Sequence, residues 1–184
     1  MSIPSLVAAL ALVVSPVHIR LVFAPEHRVA PAVERAAVAE AAAIWAPYGV
    51  VVTATDCAAA PAPDNVTLTV VMNTSPAAAT EMWGAPLGSV DFDDAGAPLR
   101  IIRVFIVRLL TLLENARLWD VPASQWPRVI REAVVGRALG RVLAHEIGHV
   151  LMRTTQHTPR GLMRAVQYPK ELVDPDRAGY TLQN

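Results

Sequence analysis

Residues 145 to 149 read His-Glu-Ile-Gly-His. On a helix, positions i and i+4 share one face, a turn apart, so His145 and His149 can direct two imidazoles at one metal ion. Glu146 projects beside them, within reach of a water at that ion. These residue types at this spacing suit hydrolysis by a zinc-activated water, with a carboxylate to take its proton.

Histidine is scarce here, with five in 184 residues, yet His145, His149 and His157 fall close together. A core helix has little use for two histidines one turn apart, because buried imidazoles must find hydrogen-bond partners. The surrounding stretch, Gly136 to Leu151, repeats Leu139, Leu143, Ile147 and Val150 at helical spacing, which predicts the helix that the chemistry needs. A hydrolytic zinc takes three protein ligands and keeps one position for water. His157 is the nearest third candidate. On a continued helix it would lie about 12 Å further along the axis, so the chain must turn back near Met152 to Thr155. Thr154-Thr155 is a poor helix former and permits that turn.

This stretch resembles the metzincin metallopeptidases, whose signature is H-E-x-x-H-x-x-G-x-x-H followed by a Met-containing turn. Here stand His145-Glu146-Ile147-Gly148-His149, then His157, then Gly161-Leu162-Met163. The strand–helix–strand order before the motif also looks like the family's upper subdomain. Met152 occupies the signature's glycine position and Thr155 its third-histidine position, so His157 requires a turn two residues longer. The resemblance implies a zinc site of His145, His149 and His157, with Glu146 as general base. It also implies a Met-turn at Met163 and, as in some members, a Tyr168 that hydrogen-bonds a developing oxyanion. Simple packing is the plainer role for Met163, and a surface or core position for Tyr168. Glu171 on a following segment is the alternative third ligand, similar to the thermolysin-like enzymes. Cys57 lacks the Pro-Arg-Cys-Gly context of a matrixin cysteine switch and reads as a small hydrophobe.

What the resemblance implies is a zinc-dependent peptidase, an endopeptidase acting on a peptide or protein substrate. A zinc-containing binding module without turnover is the competing expectation, and a membrane-tethered partner protein a third. A purely structural zinc site would have no use for Glu146. Arg153, Arg160 and Arg164 near the motif hint at carboxylate-bearing substrates, though solvated arginines are the ordinary case.

The elements that must position these groups can be read from the rest of the chain. Hydrophobic residues make up 53% of it, enough for a packed core and too many for a disordered chain. Sixteen basic and 16 acidic residues cancel, so no nucleic-acid partner is expected. The single Cys57 excludes an intrachain disulfide and a Cys-rich zinc site. Ser5 to Val14 is an apolar run too short to span a bilayer. It has the length of a signal-peptide core but no preceding Lys or Arg. The balance tips toward an export signal in residues 1–16, and so an extracytoplasmic protein, over a buried segment. Residues 17–184 read as one domain.

Val17 to Phe23 predicts a first strand and Pro31 to Ala46 a helix opened by proline. Val50 to Thr55 and Val66 to Met72 are further strands, separated by a Pro/Ala loop from Ala58 to Asp64. After a loop from Ser75 to Leu87, Gly88 to Phe92 is a short fourth strand. Asp93-Asp94-Ala95-Gly96 is a turn; with Asp91, its carboxylates could take calcium, but a solvated acidic turn is the simpler reading. Leu99 to Val107 is a fifth strand, with helix over Arg108 to Leu118 and a connector from Trp119 to Trp126. Arg128, Arg131, Arg137 and Arg141 read as the solvated face of the helix that leads into the motif. The expected fold is α+β, a mixed twisted sheet of about five strands with one backing helix and a second helix carrying the metal ligands.

Overall fold

The computed structural model describes residues 15–26, 29–55, 65–75 and 84–183. The apolar run before Ser15, the Pro/Ala loop with Cys57, and residues 76–83 of the following loop lie outside them. Five strands form one sheet: β1 (Val17–Phe23), β2 (Val50–Ala54), β3 (Asn65–Asn73), β4 (Gly88–Phe92) and β5 (Pro98–Phe105). Their order across the sheet is β2-β1-β3-β5-β4. The first four in that order run parallel, and β4 alone is antiparallel, at the edge beside β5.

The sequence explains this arrangement. Val, Ile and Leu dominate β1, β3 and β5, and strands covered by helices favour such side chains. Ile19, Leu21, Leu68, Val70, Ile102 and Val104 are fully buried. They meet the helices α1 (Pro31–Trp45) and α3 (Arg128–Met152), whose Ala37, Ala41, Leu139, Leu143 and Ile147 are equally buried. Helix α1 links the parallel strands β1 and β2, as parallel pairing requires a crossover. The two helices approach closely because Gly136 and Gly140 face α1. A β-carbon on Gly140 would stand 2.5 Å from the carbonyl oxygen of Ala37. The Trp45 indole N–H donates to the carbonyl of Ala144 at 3.0 Å, tying the end of α1 to the residue before His145.

Two expectations change. Helix was expected over Arg108 to Leu118; the helix, α2, spans Ile106–Glu114. Arg117–Leu118 (β6) instead pairs antiparallel with Val121–Pro122 (β7). Trp119 and Asp120 turn the hairpin with φ of 49° and 65°. Such left-handed pairs are usually Asn-Gly, so Trp-Asp gives no sequence signal for the turn. Arg141 is not on a solvated face but is fully buried. It donates through Nε to Glu40 at 2.9 Å and through its terminal nitrogens to the carbonyls of Glu171 and Asp176. Helical spacing groups Arg137 with Arg141, but only tertiary structure shows that Glu40 of α1 waits there.

The acidic turn is as read: Asp93 Oδ1 accepts from the amides of Ala95 and Ala97, and Asp91 pairs with Arg103. A short helix, α4 (Pro169–Val173), follows the site. Among the described residues, no helix is long and apolar enough to cross a membrane.

Candidate metal centre

His145 and His149 lie one turn apart near the end of α3, both largely buried. The helix stops at Met152, and Arg153 takes a left-handed conformation, φ 50°. Its amide, and that of Thr154 at 3.3 Å, donate back to the carbonyl of His149. The Gln156 amide then donates to Thr154 Oγ1 at 3.1 Å, which holds the reversed chain. This is the turn that a third ligand at His157 demands, made without a glycine. It brings one ring nitrogen each of His145, His149 and His157 within 4.8 Å of one another, a set that could hold a metal ion.

The tautomers follow from the partners. His145 Nδ1 lies 2.8 Å from the carbonyl oxygen of Leu162, and His149 Nδ1 lies 2.6 Å from that of Thr154. A carbonyl only accepts, so each Nδ1 carries a proton and donates it. Each neutral ring then presents an Nε2 lone pair, and these two atoms stand 3.0 Å apart. Burial holds His145 down at about 4, against the opposing effect of its bond to Leu162, and the nearby Arg164 charge adds to the lowering. His149 is lowered as well, again chiefly by burial. A proton is therefore poorly held between the rings at neutral pH, whereas a metal cation satisfies both lone pairs. Two nitrogens each ~2.0–2.1 Å from a tetrahedral zinc stand about 3.4 Å apart. The pair is set close to that spacing, and the exposed His157 ring, 5.2 Å from His145 and 5.0 Å from His149 between centroids, completes a three-imidazole set.

Glu146 is 3% exposed. Burial pushes its carboxyl up to about 8; a cation at the neighbouring histidines would draw it back down. The carboxyl rests against the start of β4, where a β-carbon on Gly88 would stand 2.6 Å from Oε1. Between β4 and α3 opens a cavity of about 390 Å³, bounded by Gly88, Val90 and Phe92 on one element and His145, Glu146 and His149 on the other. Thus β4, an edge strand among the described residues, lies across the cavity from the histidines.

Met163 is buried beneath the motif helix, and a β-carbon on Gly148 would stand 2.3 Å from its sulfur. The Thr158 amide donates to the Met163 carbonyl at 2.9 Å. One residue earlier, Leu162 both orients His145 through its carbonyl and donates its amide to Thr181 at 2.8 Å. The carbonyl partners of both histidines thus set the rings in place.

The other candidates fall elsewhere. Glu171 pairs with Arg164 and is outside the histidine cluster. Tyr168 is half exposed, near the Arg164 guanidinium and off the cavity wall. Asp91, Asp93 and Asp94 form no metal-ligating group among the described residues. Sequence reasoning did not foresee Gly88 or the Leu162 and Thr154 carbonyls. A backbone oxygen has no residue-type signature, and a glycine opening a strand does not announce what it faces.

No family model matches the chain, and no curated protein or solved structure matches it either.

Proposed function

We propose that this chain is a zinc-dependent peptidase of metzincin-like build, cleaving internal bonds of peptides or unfolded proteins. The observation that carries the reading is the facing pair of Nε2 lone pairs, 3.0 Å apart, fixed by carbonyl bonds on the far side of each ring. Three imidazoles without thiolates suit zinc, and three protein ligands leave a position for water. The turn to His157 and the packing of Met163 under Gly148 support the metzincin-like assignment.

A zinc ion in this site would supply Lewis acidity to a water and to a substrate carbonyl. The chain's own residues do the rest. Glu146 takes the proton of the attacking water on its carboxylate and hands it to the leaving amine nitrogen. Gly88, having no side chain, leaves Glu146 room to do so. The outer edge of β4, unpaired among the described residues, offers backbone amides and carbonyls with which an extended substrate can pair as an added strand.

Glu146→Gln tests this directly. It should keep about one zinc per chain and lose roughly 10²–10⁴-fold in hydrolysis of an unfolded protein, the usual share of general acid–base catalysis. A variant as fast as wild type would remove Glu146 from the reaction. A wild-type chain that binds zinc yet cleaves no unfolded substrate would leave a zinc-containing binding module.

A further inference from the structure

Arg164 is the only lysine or arginine on the cavity wall among the described residues. The same wall carries apolar Leu87, Val90, Phe92 and Ala165 as well as Gln167 and the three histidines. Its side chain is 13% exposed. Nη1 donates to Glu171 Oε1 at 2.7 Å. Nη2 lies 2.6 Å from Oε2, but off the angle of a hydrogen bond. The two side chains therefore meet as a two-pronged ion pair, and the buried Nε is left without an acceptor.

This guanidinium is held by a chain of contacts. The rings of Tyr180 and Tyr168 lie 5.6 and 6.0 Å from its central carbon. The backbone of Glu171 is pinned by buried Arg141, itself bonded to Glu40. The two flanking rings stay in place when Glu171 gives way, so the fork keeps part of its order as a ligand arrives. A buried donor without an acceptor is costly, and a carboxylate approaching side-on can engage Nε together with one terminal nitrogen. Glu171 is 41% exposed and off the cavity wall, so it can yield its place and turn to water.

We propose that Arg164 forms a carboxylate-binding subsite in the cavity beside the three histidines, in competition with Glu171. The ligand, which rests on the peptidase reading, is a peptide with a carboxylate close to the scissile bond. That carboxylate is an Asp or Glu side chain or the free carboxyl end of the peptide.

Calorimetry on the zinc-loaded Glu146→Gln chain tests the subsite without consuming the ligand. Three short peptides separate the sources: one blocked at both ends with a central Glu, its Gln counterpart, and the Gln peptide with a free carboxyl terminus. A carboxylate should bind about 10-fold tighter than its neutral counterpart, as expected of one charge-assisted pair. Which of the two acidic peptides gains identifies the source. Adding Arg164→Gln should erase the preference. Adding Glu171→Gln should widen it, and this arm stands even if the Arg164 variant does not fold. Equal binding of all three peptides, no binding at all, or a preference that survives Arg164→Gln would overturn the subsite. These ratios do not depend on turnover: an inactive wild type would sink the peptidase reading and leave them readable.

Discussion

Gly88 at the start of β4 and Glu146 on α3 touch so closely that a single added methyl would collide with the carboxylate, at 2.6 Å from Oε1. The contact joins the sheet edge to the motif helix at the group proposed to move the proton. Gly88→Ala should therefore displace Glu146 while leaving the histidines in place. The Glu146 side chain can shift its end, so the stability cost should be modest. Hydrolysis should fall about 10–100-fold, the scale of a misplaced reacting group. Zinc content and peptidase rate measured together check this. Unchanged rate with intact fold would show that the carboxyl has room to spare.

The third ligand separates two kinds of site. His157→Ala should lose most bound zinc, and Glu171→Ala should keep it, because Glu171 pairs with Arg164 and lies outside the cluster. Metal analysis of the two purified variants decides it. Loss confined to the Glu171 variant would instead make the site thermolysin-like.

Acidity acts on the metal-free chain from both sides. His145 is held at about 4 in the fold against an ordinary 6.5, so below 6.5 the unfolded chain binds a proton that the folded chain refuses. Its contribution is complete above 6.5 and is lost as pH falls toward 4. Glu146, raised from 4.5 to about 8, runs the other way: its contribution is complete below 4.5 and is lost as pH rises through 8. Urea unfolding in the presence of a chelator should show His145→Gln flattening the acid limb and Glu146→Gln flattening the alkaline one. A variant that shifts stability equally at every pH would contradict the direction given for that group.

The buried Arg141 should be a major structural anchor. Arg141→Met removes donors from Glu40 and from two backbone carbonyls, and breaking a buried pair from one side costs about 3–5 kcal/mol. The urea midpoint should drop accordingly. Adding Glu40→Leu should recover part of the loss, since the carboxylate is then no longer stranded. A loss below about 1 kcal/mol would mean that Arg177, which also pairs with Glu40, suffices alone.

What was legible in the sequence follows periodicity and residue type. The strand Gly88 to Phe92, the proline opening α1 and the histidine spacing on α3 are local signals, and the structure places these elements there. The turn after Met152 was inferred from what a third ligand at His157 would need, and Arg153 supplies it in a conformation that its residue type does not advertise. Arg141 failed because charge at helical spacing looks alike whether it meets water or Glu40. The Trp119-Asp120 hairpin failed because its turn lacks the usual residues. The Leu162 and Thr154 carbonyls had no signal to find, because any residue carries a carbonyl. Each failure lies in a long-range pairing or in the backbone itself.

The bond from the Leu162 amide to Thr181 ties the centre to the C-terminal segment. Its three candidate ligands are near neighbours along the chain, so a metal ion can gather them early and at small loop-closure cost. The frame that aims His145 is another matter. Leu162 is held by its bond to Thr181 as well as by full burial. The ligand set thus closes within a short stretch of chain, while the carbonyl that aims His145 is held from outside it, so a change near Thr181 could tilt a ring without touching a ligand.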